Sequence, residues 1–296
     1  MSVLRSGTSR RVGYGVIISI AGRGDGQMPY LLKLTAQLDG EEPPLAEHVH
    51  AMVSTWVEGG ESLEVHRANV KPFRCGAVDW DLSGRTSIRV GLLNDALLSR
   101  LSGRAANGAA TIRLGRQRGS LRRTQHGELA AQVEHASWTN LLDASSPRSE
   151  FSFRFVGPTV FRSGRDFLPQ PFPGLVFGHL RARWSAFAPP RLRPEIDVKS
   201  VGLVAVRSDL ATVMTATRRG PVPSFVGDVT FRATGGSDRD LRVLDALARL
   251  TPFAGIGANT TYGMGEARYV SSDPAPLPEP ATSDSDAVAP AGLVSA

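Results

Sequence analysis

A chain of 296 residues with 41% apolar side chains has room for one large or two ordinary domains, each with a packed core. Its single cysteine, Cys75, excludes an intrachain disulfide and a cysteine-built zinc site, and suits a reducing compartment, the cytoplasm. The net charge is +6, but residues 271–296 hold four acids and no Lys or Arg, so the preceding 270 residues carry +10 and favour polyanionic partners, nucleic acid first. All but Lys33, Lys71 and Lys199 of the 34 basic residues are Arg. A compositional bias explains Arg over Lys, but not the clustering of seven arginines and no acid between Arg100 and Gln125.

In residues 1–27, Arg10-Arg11 precede a short apolar run, Val12 to Ala21, broken by Gly13 and Gly15. The run is too short and too interrupted for export, so an added strand or a disordered extension ahead of a start at Met28 is expected. No stretch approaches the ~20 apolar residues of a membrane span. Met28 to Leu38 alternates as a first strand, with Leu32, Leu34, Ala36 and Leu38 on one face. Pro43-Pro44 open a helix, Leu45 to Val57, in which Val49, Met52, Val53 and Trp56 recur at helical spacing. His48 and His50 are two apart on it and point in different directions, which is no metal-ligand spacing. His50 lies beside the apolar stripe and reads first as a half-buried helix histidine.

Leu63-Glu-Val-His66 follows, then Lys71-Pro72-Phe73. Pro72 biases Lys71 away from helix, which leaves His66 near the end of a short helix with a lysine five residues on. Val78 to Trp80 and Thr86 to Leu92 read as strands around the turn Asp81 to Gly84. Asn94 caps a helix from Asp95 to Leu101. Thr111 to Leu114 and Leu129 to Val133 complete the half as strands. The order is βαββαβ, a ferredoxin-like unit.

Ala144 to Pro147 is a junction, placing a first domain at 28–144 and a second at 145–270. Phe151 to Val156 is a strand whose Phe151, Phe153 and Phe155 face one way, into a core. Pro158 to Phe161 and Leu168 to Phe172 read as loop. A helix spans Gly174 to Phe187, strands cover Val198 to Val206 and Ala211 to Thr217 around Ser208-Asp209, and a further strand runs from Phe225 to Ala233. A helix from Leu241 to Phe253 and a strand from Glu266 to Val270 flank Ala254-Gly-Ile-Gly-Ala-Asn-Thr-Thr-Tyr-Gly-Met-Gly265. This is a second βαββαβ half, and the whole is an α+β chain of two tandem ferredoxin-like, RRM-like domains. Residues 271–296, rich in Pro, Ala, Ser and acids, read as a disordered tail.

Glycines at 255, 257, 263 and 265 allow close backbone approach and could cup an anion with exposed amides. No Gly-Lys-Ser/Thr follows them, and a loop between helix and strand lacks the strand-loop-helix order of a dinucleotide site. A late glycine-rich loop of this kind resembles that of the CRISPR-associated RAMP proteins, especially the repeat-processing endoribonucleases of the sixth Cas family. Four other pieces carry the resemblance: Leu63 to His66 with Lys71-Pro72-Phe73, Asp95 to Leu98, Phe153 to Phe161, and Ser224 to Phe231. Gly157 stands where that family usually has serine. The family's tyrosine-type partner on the first helix is not visible, and Ser54, Thr55 and Trp56 occupy that region.

The resemblance implies RNA in a basic groove between two domains and a metal-free cut of CRISPR repeat RNA, with no cofactor. The ribose 2′-hydroxyl would attack the adjacent phosphate, leaving a 2′,3′-cyclic phosphate and a 5′-hydroxyl. It places the general acid/base at His66, with His50 as the alternative, and Lys71 as the stabiliser of extra phosphate charge. RNA contact falls to Gly255, Gly257, Asn259, Thr260, Thr261, Gly263 and Gly265 of the loop, and to Arg113, Arg116, Arg118, Arg122 and Arg123. The implied partners are repeat RNA, subunits of a CRISPR effector complex and a second copy of the chain, with no membrane. Two alternatives stay open: a RAMP subunit that only holds guide RNA, and an unrelated pair of RRM-like modules that stack bases on sheet aromatics.

Overall fold

In a computed structural model of the chain, the described residues are 13–16, 28–58, 70–106, 111–123, 130–217 and 220–270. His66 and residues 271–296 lie outside them, so neither the expected helix end nor the expected tail is described.

The N-terminal half is built from β1 (Gly13–Val16), β2 (Tyr30–Leu38), α1 (Ala46–Glu58), β3 (Phe73–Trp80), β4 (Arg85–Leu92), α2 (Asp95–Ala106), β5 (Thr111–Leu114), β6 (Gln117–Leu121), β7 (Ala130–His135) and α3 (Trp138–Asp143). Its sheet runs β1-β7-β2-β4-β3, all antiparallel. Without β1, that is the 4-1-3-2 order of a ferredoxin-like unit; β1 is an added strand on β7. The apolar stripe of α1 (Val49, Met52, Val53, Trp56) and Leu97, Leu98 and Leu101 of α2 bury against Leu32, Leu34, Ile88 and Val90. Asn94 caps α2 by accepting the Leu97 amide at 3.0 Å.

Thr111 to Leu114 is a strand as expected, but the sequence reading missed its partner β6 and so its place in the sheet. That segment pairs with β6 as a hairpin whose second strand lies along the end of β2, and the fourth strand of the unit is β7 alone. Gln117 to Leu121 carries Gln, Arg, Gly and Ser, a composition with little strand signal; it holds its place through pairing with Ala36 to Leu38.

The C-terminal half repeats the pattern with β8 (Glu150–Thr159), β9 (Phe161–Ser163), β10 (Asp166–Leu168), α4 (Pro173–Phe187), β11 (Leu203–Thr215), β12 (Val222–Ala233), α5 (Asp238–Arg249), α6 (Thr251–Ala254) and β13 (Ala267–Val270). The sheet order β11-β12-β8-β13 is again 4-1-3-2, read from β13. Phe151, Phe153 and Phe155 are buried with Phe177, Phe225 and Phe231 in one aromatic core. Three expectations fail here. Val198 to Val201 is turn, and the strand expected from Val198 begins only at Leu203. Phe161 is not loop but opens the small hairpin β9–β10. Ser208-Asp209 is not a turn: β11 runs through it as one 13-residue strand, with a bulge between Ala205 and Arg207. This edge strand is largely exposed on both faces, so polar residues cost little and no alternation marks its course.

The halves meet along a seam between β3 and β4 on one side and α6, the glycine loop and β13 on the other. Gly91 of β4 makes room for the Phe253 carbonyl; a Cβ there would stand about 2.0 Å from that oxygen. The Arg74 guanidinium, buried from β3, donates to the Pro252 carbonyl in α6. Glu266, 4% exposed, accepts the Ala77 amide at 2.8 Å and pairs with Arg89 at 2.8 Å. No helix among the described residues is long and apolar enough to cross a membrane.

Candidate functional site

The glycine loop, residues 255–265, leaves α6 and returns into β13 across this seam. Gly255, Gly257, Gly263 and Gly265 all hold positive φ (68, 95, 78 and 72°), and Asn259 joins them at 56°. Each glycine is also a close approach. A Cβ on Gly265 would meet the Ile256 carbonyl, one on Gly257 the Val160 carbonyl, and one on Gly263 the side chain of Ala46 in α1. The loop is cross-braced by Ile256 N–H to Gly265 O (2.8 Å), Ala258 N–H to Val160 O (2.7 Å), Gly265 N–H to Pro158 O (2.8 Å) and Tyr262 N–H to Asn259 O (2.8 Å).

The underside rests on α4. Arg183 donates to Thr260 Oγ1 at 2.6 Å and stands 2.9 Å from His179 Nδ1, and the Gly257 amide donates to the same ring nitrogen at 3.3 Å. Burial, and then the Arg183 charge, hold His179 well below the usual imidazole pKa of 6.5. Burial, with Arg74 nearby, lowers the Arg183 guanidinium to about 10.

The tip rests on α1. The His50 ring stacks on Tyr262 with 3.8 Å between centroids, and Phe73 lies behind it at 6.2 Å. His50 Nδ1 is 3.1 Å from the Thr261 carbonyl, which makes it the donor there, and Ser54 Oγ is 3.5 Å from Nε2. On the other side of α1, the turn of the β5–β6 hairpin closes over His48; a Cβ on Gly115 would stand about 2.3 Å from that ring. The two histidines, two residues apart, thus serve opposite flanks of one helix.

The structure sorts the predicted site residues. His50 and the loop come together directly. Thr260 and Thr261 are 3% and 6% exposed, and Gly255, Gly257 and Gly265 are buried, so these five face protein. Tyr262 is exposed, and Asn259 and Gly263 are half-buried. The loop amides of Ile256, Gly257, Ala258, Tyr262 and Gly265 all donate to protein acceptors. Lys71 is half-buried, two residues before Phe73, and His66 lies outside the described residues. Arg113, Arg116, Arg118 and Arg122 are exposed on or beside the hairpin, Arg123 less so. The outer face of the C-terminal sheet is a ladder of polar pairs: Glu150–Arg232, Ser152–Thr230 and Arg154–Asp228. It offers no stacking aromatics of the RRM kind. Among the described residues, no three His, Cys, Asp or Glu side chains gather as metal ligands.

Sequence reasoning passed over Arg74, Arg183, His179, Arg89 and Glu266, which brace the loop, and Tyr262, which crowns it. For Tyr262 a signal was present: an aromatic between glycines in an otherwise small-residue loop.

The family model for the CRISPR-associated endoribonuclease Cas6 matches residues 153–267. A curated CRISPR-associated endoribonuclease Cas6 from Mycobacterium tuberculosis is 26% identical over 277 residues, covering 86% of this chain and 83% of its own. A solved Cas6 product complex superposes with a TM-score of 0.66 at 28% identity, over 82% of this chain and 99% of that one. A Thermus thermophilus Cas6 superposes with a TM-score of 0.60 at 27% identity, over 83% and 100%.

Proposed function

We propose that this chain, which belongs to the Cas6 family of CRISPR-associated endoribonucleases, cuts CRISPR repeat RNA at the seam between its halves by attack of the ribose 2′-hydroxyl. The observation that carries the reading is the docking of the braced glycine loop onto the histidine-bearing helix α1, with the arginine hairpin on that helix's other flank. A solved Cas6 product complex aligns over 82% of the chain.

In the proposed reaction the 2′-oxygen loses its proton as it bonds to the adjacent phosphorus. The bond from phosphorus to the 5′-oxygen breaks, and that oxygen gains a proton. The products are a 2′,3′-cyclic phosphate and a 5′-hydroxyl, and no metal takes part. His66 is the group assigned to proton transfer, since an imidazole near pKa 6.5 both accepts and donates at neutral pH. Lys71 lies close to the phosphate and offsets the charge gathering on it. His50 is the second candidate, although its Nδ1 is committed to the Thr261 carbonyl. The exposed arginines of the hairpin hold the RNA backbone.

The test uses the repeat RNA of the source organism's array, in EDTA, with wild type and His66→Ala. The account expects cleavage by wild type and at least a 100-fold slower cut by His66→Ala with RNA affinity unchanged. Wild type that binds the repeat and leaves it whole would make the chain a guide-holding subunit instead. Cleavage that survives His66→Ala would move the acid/base role to His50.

A further inference from the structure

We propose that Tyr262 is a stacking platform for one unpaired nucleobase of the bound RNA, an inference that rests on the RNA-cutting reading above. Two aromatic side chains stand exposed among the described residues, Phe172 and Tyr262. Tyr262 sits at the crown of the loop and is 46% exposed. One face of its ring is covered by His50 at 3.8 Å, and His50 is backed by the buried Phe73. The three rings form a column from the N-terminal core to the surface, ending in the exposed ring of Tyr262.

The loop's construction favours this use of it. The amides of Gly255, Ile256, Gly257, Ala258, Tyr262 and Gly265 already donate to protein acceptors, which leaves fewer of them to cup a phosphate. Tyr262 is instead held rigidly: its amide bonds to Asn259 O, Thr260 is held by Arg183, Thr261 by His50, and Gly263 turns against Ala46. A fixed ring binds a base without first losing side-chain freedom. The ring is thus held out, 46% exposed, on a loop whose backbone is fixed by four glycines of positive φ. A nucleobase fits: single-stranded RNA is recognised by stacking splayed bases on aromatic side chains, and every base has a π face. Such a contact would fix where the strand crosses the seam, and so which phosphate meets the reactive groups.

The experiment measures affinity for the repeat RNA by fluorescence anisotropy. It compares wild type, Tyr262→Ala, Tyr262→Phe, Tyr262→Trp and Tyr262→Leu on intact repeat and on a set carrying one abasic nucleotide at each position in turn. Tyr262→Ala and Tyr262→Leu are expected to bind about 5- to 100-fold more weakly, the range for loss of one stacked base, while Phe and Trp stay within about twofold. One abasic position should cost wild type the same factor and cost Tyr262→Ala nothing. The leucine variant keeps an apolar cover on His50, so a loss there is not a packing defect. Equal affinity of Tyr262→Ala and wild type overturns the platform, as does an abasic set whose costs are the same in both proteins. Wild type that binds no repeat RNA overturns the RNA-cutting reading itself, a separate and recognisable result.

Discussion

His179 shows how a single residue ties the loop to acidity. The Gly257 amide donates to Nδ1 and the Arg183 guanidinium stands 2.9 Å from both ring nitrogens, so the ring is met by donors and stays neutral. Its pKa in the fold is held well below the 6.5 of an unfolded chain, by burial first and Arg183 second. Below pH 6.5 the unfolded chain therefore takes up a proton that the native chain refuses, and stability falls by up to about 1.4 kcal/mol per pH unit until the native ring titrates. The melting temperature of wild type should drop more steeply from pH 7 to pH 5 than that of His179→Gln, measured by differential scanning calorimetry. Parallel profiles for the two proteins would contradict this. Asp245 makes a comparable point without a titration. It is fully buried, accepting from the Tyr269 hydroxyl (2.6 Å), the Ser146 amide (2.9 Å) and Arg249 (2.9 Å). In the sequence it is one acid among several in α5.

At the scale of elements, α1 is the spine of the site, with the glycine loop on its His50 flank and the β5–β6 hairpin on its His48 flank. In the proposed reading the hairpin's arginines hold RNA by charge, a role that salt would expose. Replacing Arg113, Arg116 and Arg118 together by Gln should lower the slope of log affinity against log salt by about 0.7 for each phosphate no longer neutralised, with little change in sequence preference. A slope equal to that of wild type would mean that these side chains form only a solvated face. The sequence exposed α1 and α4 to within a residue or two, because a stripe such as Val49, Met52, Val53 and Trp56 is buried as it is spaced. It misled at β11, where an exposed edge strand has no burial pattern to display, and at β6, which exists through its pairing with β2. The glycine loop was legible from four glycines at their spacing. Its braces were not: Arg74, Arg183 and Glu266 come from three distant segments, and nothing periodic links them.

On the scale of the whole molecule, two ferredoxin-like halves are joined by charge as well as by apolar packing. Arg74 reaches the carbonyl before the loop, Glu266 after the loop reaches back to Ala77 and Arg89, and Gly91 admits Phe253 between them. Both ends of the glycine loop are thereby fixed to the N-terminal sheet while its crown rests on α1. A strand of RNA crossing this seam would meet elements of both halves at once, which is why we propose the reactive site there and not on either sheet face. The most direct measurement is the mass of the fragments made from repeat RNA in EDTA, alongside an RNA with one 2′-deoxy nucleotide at the mapped cut. The account predicts an upstream fragment ending in a 2′,3′-cyclic phosphate, a downstream fragment beginning with a 5′-hydroxyl, and no cut at the deoxy position. A downstream 5′-phosphate, or cleavage that proceeds past the 2′-deoxy, would contradict it.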